Sequence, residues 1–357
     1  MNAAIAAERL RRQLLMGAGL RRPADVVAWF GAMQAQEYEH AKWALGLRLR
    51  DGIVAADIER AFQDGHILRT HVLRPTWHFV TPSDIRWLLE LTGPRIQRRM
   101  AVYNGHLGLA ARTFARALRV MERALRDGRF LTRGELGDRL KRGGLPLTSM
   151  QLAHVAMHAE VEGVICSGPR RGKQFTYALL AERAPNASRL PRDEALAALG
   201  RRFFRSHGPA TIRDFVWWSG LSTADARRSL EIIDGRREEV DGRMYWTCDR
   251  EPRGAMRDHL AHLLPIYDEY VVAYRDRLAV PPRPQTTGPT KPWSTFQHAL
   301  VIAGQVAGTW RLERGPQRVQ LDAVSVRRVT RPERAALAQA VRRYEAFLST
   351  PVAFSLE

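Results

Sequence analysis

The chain has 357 residues, 45% of them hydrophobic, and this length and composition predict two or three packed domains. Its 56 Lys and Arg outnumber its 37 Asp and Glu by 19, which favours a polyanionic partner, although an Arg-rich, high-GC genome would give the same balance. Two cysteines, no apolar leader and no apolar run of about 18 residues argue against a disulfide framework, export and a membrane span, so a cytoplasmic location is expected.

The first segment, residues 1–112, is predicted to form a unit of helices followed by a strand pair. The stretches "AERLRRQLLMG" and "PADVVAWFGAMQAQ" predict two helices and "ADIERAFQDG" a third, because apolar residues recur in them at helical spacing. The apolar, β-rich stretch 66–80 predicts two strands, interrupted at Arg74-Pro75 because proline cannot donate to a sheet ladder. A helical spacer over about residues 82–112 leads to the next unit.

The second segment, residues 113–185, repeats this plan more clearly. Apolar residues at helical spacing predict a first helix over 114–129, and Thr132 with Glu135 three residues later is the capping-box pattern of a second. A third helix is predicted over 149–165, and two strands follow it. The order helix, helix, helix, hairpin is typical of a winged-helix unit.

The hairpin of this second unit carries a basic tip. The stretch "SGPRRGKQF" places Arg170, Arg171 and Lys173 on a glycine-rich turn between the two strands. A wing in this position can lie along a phosphate backbone, so these three residues are predicted to bind DNA. An ordinary solvated turn is the alternative.

The third segment, residues 190–254, follows the same order. Helices are predicted over 194–209 and 221–233, with Thr211 and Ser222 as N-caps of its second and third helices, and Asp241-Gly242 fits the turn of a hairpin.

From about residue 255 to the end at 357, the composition changes. A Pro/Thr/Gly-rich stretch over 278–293 predicts an exposed loop, strand-like alternation with a turn at Gly304-Gln305 follows, and a helix closes the region. We expect a small β-rich α+β domain.

The sequence can be searched for metal-binding histidines and for the motifs of common enzyme classes. His154 and His158 stand at i and i+4 of a helix, a spacing that metal sites use, but the first histidine lacks the following Glu of a zincin. His259 and His262 are a weaker pair, so no metal site is predicted. The sequence also contains no Gly-x-Ser-x-Gly elbow and no P-loop, which argues against two common enzyme classes.

Three stretches, taken together in order and separation, resemble one known superfamily. They are "MQAQEYEHAKWALGLRLR", "LRTHVLRPTWHFVTPSD" and "LLPIYDEYVVAYRDR", and the resemblance is to the winged-helix superfamily that includes the AlkZ-type DNA glycosylases. It covers nearly the whole chain. It implies an α+β, mainly helical fold in which three tandem winged-helix units and a β-rich C-terminal domain form a C-shaped basic cleft. It also implies a monomer without cofactor that acts on double-stranded DNA carrying alkylated bases.

The resemblance also implies which residues act. In this family a Gln-x-Gln motif is the catalytic centre, and Gln34 and Gln36 match it, with a small Ala35 where the family prefers an apolar residue. Thr76 and His78 match a Thr-x-His segment and would support the active site, although His78 fits a buried core histidine equally well. On a helix Gln34 and Gln36 would not share a face, so a shared site needs the motif at a helix end or in a turn.

Amide side chains suit the chemistry that the resemblance implies. An N7-alkylated purine already carries a positive charge, so it leaves without a general acid, and the protein must only place a water molecule against a cationic sugar. The sequence therefore favours a monofunctional DNA glycosylase for alkylated bases, with bulky or cross-linked N7-guanine adducts among the expected substrates. The alternatives are a non-catalytic winged-helix DNA-binding protein or regulator, and a scaffold whose charge is incidental. The absence of a heptad-like helix favours a monomer over a dimeric regulator.

Overall fold

The computed structural model describes residues 2–17, 19–248, 260–275, 297–315 and 318–357. The loop predicted over 278–293 and His259 lie outside these residues. In the part of the chain that is described, helices predominate, and none of them has both the length and the apolar character needed to cross a membrane.

The first segment contains a three-stranded sheet of order β1-β3-β2 among five helices. Its elements are α1 (Asn2–Arg12), α2 (Pro23–Phe30), β1 (Met33–Gln34), α3 (Tyr38–Gly46), α4 (Ala55–Gln63), β2 (Leu68–His71), β3 (Trp77–Val80) and α5 (Ile85–His106).

The helix predicted to run through the Gln-x-Gln motif is wrong beyond Phe30. Gly31 ends α2 with a φ of 85° and donates its N–H to the carbonyl of Val27, a conformation that glycine adopts without strain. The chain then extends into β1, and the sequence prediction did not foresee α3. The repeated helices of this unit are therefore α2, α3 and α4, and α1 lies outside the repeat.

The second segment has the predicted helices and hairpin, and a short strand between the first two helices completes its sheet, of order β4-β6-β5. The elements are α6 (Ala111–Leu125), β4 (Leu131–Thr132), α7 (Arg133–Arg142), α8 (Ser149–Val161), β5 (Ile165–Ser167), β6 (Thr176–Leu179) and α9 (Leu180–Arg183). The predicted capping box is confirmed, because Glu135 N–H donates to Thr132 Oγ1 and Thr132 N–H to Glu135 Oε2.

The third segment repeats the order with a two-stranded hairpin, which Ala210 joins through a bridge to Trp246. It comprises α10 (Arg192–Ser206), α11 (Ile212–Ser219), α12 (Thr223–Ile233), β7 (Arg236–Val240) and β8 (Arg243–Thr247). Thr211 and Ser222 cap α11 and α12 as predicted. Asp241 and Gly242 form the turn, both with positive φ.

The C-terminal segment is built on a five-stranded sheet of order β13-β12-β11-β10-β9, in which only the β12–β13 pair is parallel. The elements are β9 (Ala261–Leu264), α13 (Glu269–Val272), β10 (His298–Ile302), β11 (Gln305–Arg314), β12 (Val319–Ser325), α14 (Arg331–Leu348) and β13 (Val352–Leu356). The turn predicted at Gly304-Gln305 lies one residue earlier. Ala303 and Gly304 have positive φ, and Gln305 already pairs with Ile302.

The hydrophobic cores connect these segments unequally. The largest core joins the first segment to the C-terminal sheet, and there the indole N–H of Trp43 donates to the carbonyl of Leu263. A second core joins α5 and the β2–β3 hairpin to the third segment. The core of the second segment consists of residues between 107 and 179. The Gln-x-Gln motif lies where the first two cores meet.

Candidate active site

The Gln-x-Gln motif begins on the short strand β1 beside β3, and Gln36 follows at a bend. Gln34 is opposite His78 in the β1–β3 register, and the N–H of Ala35 continues the ladder by donating to the carbonyl of Trp77 at 2.7 Å. The side chains of Gln34 and Gln36 both reach the β2–β3 hairpin, which they would not do from opposite faces of a helix. The motif is thus in an arrangement that lets both amides serve one site.

Both amide oxygens accept hydrogen bonds from the β2–β3 hairpin, one from its turn and one from the first residue of β3. The Oε1 of Gln34 accepts from Nη2 of Arg74 at 2.9 Å, and the Oε1 of Gln36 accepts from the backbone N–H of Trp77 at 3.3 Å. A guanidinium only donates, so its position identifies the oxygen end of the Gln34 amide. Gln34 is 8% exposed and Gln36 is half-buried.

Arg69, on β2, also holds the backbone of the motif. Its Nε donates to the carbonyl of Ala35 at 2.9 Å, and its guanidinium lies 4.2 Å from the centre of the Trp77 ring. Burial lowers its pKa to about 10, which still leaves it charged at neutral pH. The backbone of the motif is therefore fixed by a buried cation.

Glu269 is the carboxylate of this site, and the sequence prediction gave it no role. Its Oε1 accepts from the backbone N–H of Gln34 at 2.7 Å, and its Oε2 accepts from Nε1 of Trp218 at 3.0 Å and faces Nε2 of His207 at 3.3 Å. Burial alone would raise its pKa, but the hydrogen bond and charge of His207 and the hydrogen bond from the Gln34 backbone outweigh burial and bring the pKa to about 2. An acidic residue within the apolar stretch "LLPIYDEYVV" was the available signal for a buried, paired carboxylate.

Thr76 and His78, the predicted supporting residues, lie beside the two glutamines. The Nδ1 of His78 donates to the carbonyl of Thr76 at 2.9 Å, and burial lowers the pKa of the ring to about 3, so it is neutral at pH 7. Within the described ranges, His78 Nε2 and Thr76 Oγ1 are buried without a hydrogen-bond partner, and so is Nε of Arg74. The ring is buried, as a core histidine would be, but half of its hydrogen-bonding capacity is unused. Unpaired buried polar atoms are costly, and here three of them lie beside one motif.

The three predicted DNA-binding residues of the second segment's basic hairpin have different surroundings. Arg170 does not stand free at the tip, because its guanidinium pairs with Glu39 at 3.1 Å and Glu59 at 3.2 Å and lies over the Tyr38 ring. Arg171 is exposed and pairs with Glu135, and Lys173 is exposed. Arg170 therefore connects this hairpin to α3 and α4, while Arg171 and Lys173 face solvent.

The two histidines considered as metal ligands, His154 and His158, each contact a side-chain amide. His154 Nδ1 contacts Oδ1 of Asn104 and His158 Nδ1 contacts Oε1 of Gln97, each at 2.8 Å, and both amides belong to α5. His262 is buried at a distance in β9. Over the described ranges, no group of three or more His, Cys, Asp and Glu side chains is placed to hold a metal.

Comparisons with known proteins agree with the sequence resemblance. The model of the family described as AlkZ-like DNA glycosylases matches residues 27–347. The interstrand DNA cross-link repair glycosylase of Streptomyces sahachiroi is 25% identical over 322 residues, which cover 85% of this chain and 86% of that protein. The solved structure of the Streptomyces sahachiroi DNA glycosylase AlkZ matches this fold with a TM-score of 0.78 and 21% identity over 99% of both chains.

Proposed function

The chain belongs to the AlkZ-like DNA glycosylase family, and we propose that it is a monofunctional DNA glycosylase that hydrolyses the N-glycosidic bond of N7-alkylguanine in double-stranded DNA. The observation that carries this proposal is the pair of amides, Gln34 and Gln36, whose oxygens both accept hydrogen bonds from the β2–β3 hairpin. The name of the relative from Streptomyces sahachiroi supports the extension to cross-linked adducts.

The reaction needs few groups from the protein. The bond between C1′ and N9 breaks, its electron pair leaves with the base, and the cationic N7-alkylguanine becomes neutral. Water adds to C1′ and releases a proton to solvent, which leaves an abasic site. Gln34 and Gln36 would orient this water, because amides hydrogen-bond without taking up a proton at neutral pH.

The residues around the motif would keep the amides in position. Glu269 holds the backbone of Gln34 and Arg74 holds its side chain, so the amide has little freedom to rotate. Thr76 Oγ1 and His78 Nε2 supply buried hydrogen-bonding atoms next to the glutamines, and we propose that they bind the water or the substrate. Groups already oriented before the reaction stabilise developing charge at little reorganisation cost.

The rest of the chain would bind the duplex. We propose that winged-helix units lie within residues 1–112, 113–185 and 190–254, and that residues 255–357 complete a C-shaped cleft in a monomer. The repeated order of helices and hairpins supports this assignment. Arg171 and Lys173 would contact phosphates through the second hairpin, which Arg170 positions.

The test is to incubate the protein with duplex DNA that contains one N7-methylguanine. We expect abasic sites that alkali converts to strand breaks, with the strand intact before alkali because the enzyme is monofunctional. Activity should persist after treatment with EDTA. Binding to this duplex without base release would contradict the proposal and favour a non-catalytic DNA-binding protein.

A further inference from the structure

An open pocket of about 360 Å³ lies between the β2–β3 turn, α5 and the C-terminal end of α11. Leu73, Pro75, Ile96 and Gly220 form its apolar wall. The charged residues in its lining, among those that the structure describes, are four arginines: Arg74, Arg95, Arg98 and Arg99. Neither glutamine of the motif lines the pocket. Arg74 connects the pocket to the motif, because it lines the pocket and also donates to Gln34.

The arginines of the pocket keep donors for an anion. Arg98 has a long 3.4 Å bond to the carbonyl of Pro94 on its own helix, and Arg95 uses Nε for the carbonyl of Gly220. The Nε of Arg74 is buried without a partner in the described structure. Each guanidinium carries five N–H donors in a fork that matches a phosphate, so most of their capacity is unused.

The clustering of these cations is unfavourable without a ligand. Burial lowers the pKa of Arg74, the charge of Glu269 raises it in part, and the nearby positive charge of Arg99 lowers it again. Like charges gathered at one site destabilise the protein unless an anion balances them. A cluster of this kind is therefore better explained by binding than by stability.

We propose that this pocket binds one phosphodiester group of the damaged DNA strand and that Arg74 couples this phosphate to Gln34. The identity of the strand as substrate rests on the proposed function. The pocket is open and large enough for a phosphate with part of its flanking sugars. A phosphate bound there would hold Arg74, and through it the already oriented amide of Gln34, more firmly while the strand is in place. Arg74 is a positioning residue in this scheme.

The first experiment compares two matched pairs of arginines. Arg98→Gln with Arg99→Gln removes two charges from the pocket, and the bond of Arg98 to Pro94 that is lost lies within α5. The control, Arg119→Gln with Arg123→Gln on α6, removes two exposed arginines, and the Nε of Arg123 donates to the carbonyl of Arg119 on the same helix. The probe is a duplex with a tetrahydrofuran abasic-site analogue. We expect the pocket variant to bind about tenfold more weakly than the control, with a salt slope smaller by about one. Equal affinities of the two variants would overturn the proposal.

The second experiment locates the phosphate. In a set of probes, each carries one uncharged methylphosphonate in place of a phosphate near the analogue. Wild type should lose about tenfold in affinity at one position, and the Arg98→Gln, Arg99→Gln variant should show no penalty at that position while keeping the penalties elsewhere. A variant that retains the full pattern would contradict the assignment. Because both experiments measure binding, a protein that binds the probe but releases no base would refute the proposed function without deciding the fate of the pocket.

The coupling through Arg74 has its own readout. With N7-methylguanine DNA at saturating enzyme, the methylphosphonate at the sensitive position should slow base release by wild type about tenfold. Arg74→Lys keeps the charge but loses the fork that joins the phosphate to Gln34, so its rate, already reduced, should not respond to the methylphosphonate. An equal slowing of wild type and Arg74→Lys would show that the phosphate does not act through Arg74.

Discussion

The hairpins of the first and second segments have the same topology but opposite surroundings. The β2–β3 turn lies against the Gln-x-Gln motif, and its Leu73 adopts a φ of 62° while Arg74 holds Gln34. The β5–β6 hairpin keeps Arg171 and Lys173 exposed, with Arg171 paired to Glu135 at the surface, and it directs Arg170 inward to Glu39 and Glu59. The two hairpins have the same strand order, and packing against neighbouring elements determines whether their arginines are buried or exposed.

The largest loss of stability is expected from removing the carboxylate of Glu269, which holds the Gln-x-Gln motif next to the first hairpin. Glu269→Ala leaves the N–H groups of Gln34 and Trp218 buried and unpaired, so we expect a loss of about 3–5 kcal/mol in the free energy of unfolding. Glu269→Gln should cost less, since its amide oxygen can still accept from Gln34. Denaturant unfolding measures both, and a cost of Glu269→Ala below about 1 kcal/mol would show that the carboxylate does not hold this site.

The same carboxylate predicts a dependence on pH. Its pKa is about 2 in the folded protein against an ordinary value of 4.5, so its stabilisation is complete above pH 4.5 and is lost as the pH falls toward 2. Unfolding measured across this range should show that wild type loses more stability than Glu269→Gln. Parallel curves for the two proteins would contradict the assignment.

A smaller effect is expected where the first hairpin meets α11. Gly220 has a φ of 69°, and a Cβ there would overlap the carbonyl oxygen of Leu73. Gly220→Ala should therefore cost about 2–4 kcal/mol, from backbone strain and overlap together. Gly242→Ala is the matched control, because Gly242 has a φ of 70° but no atom within 4 Å of its Cβ position, and only strain of about 1 kcal/mol should remain. Equal losses would mean that this contact does not constrain the hairpin.

In the second hairpin, Arg170 should contribute to stability, whereas Arg171 and Lys173 should contribute to DNA binding. Arg170→Ala removes two ion pairs and a side chain that is 11% exposed, so we expect a loss of about 1–2 kcal/mol in stability. Arg171→Ala with Lys173→Ala should leave the melting temperature nearly unchanged and weaken duplex binding a few-fold for every sequence. Unchanged duplex binding by the double variant would remove this hairpin from the DNA surface.

Local signals account for the parts of the fold that the sequence predicted correctly. The capping box of Thr132 and Glu135 and the turn at Asp241-Gly242 depend on residues a few positions apart, so the sequence pattern contains all that determines them. The strand β1 has two residues and exists because β3, more than 40 residues later, pairs with it. A helical pattern in "PADVVAWFGAMQAQ" could not reveal that partner.

The motif of the candidate site could be predicted from the sequence, but the residues that hold it in place could not. The resemblance pointed to Gln34, Gln36, Thr76 and His78, which the fold brings together. The partner of the Gln34 backbone, Glu269, is 235 residues away, and only tertiary packing brings it there. The placement of Arg170 against Glu39 and Glu59 was missed for the same reason, because both partners are more than 100 residues distant in sequence.

The central claim is that the two amides at the first hairpin perform the chemistry. It is tested most directly by the single-turnover rate of base release from N7-methylguanine duplex DNA by wild type, Gln34→Ala and Gln36→Ala, with the arginine control variant on α6 beside them. We expect each glutamine variant to fold and bind DNA like wild type and to release the base about 10²-fold more slowly, the scale for losing one oriented polar group. Gln36→Glu should retain activity that Gln36→Leu loses, since a carboxylate also orients water and favours a cationic sugar. If a variant lacking both amides releases the base as fast as wild type, the motif is not the active site.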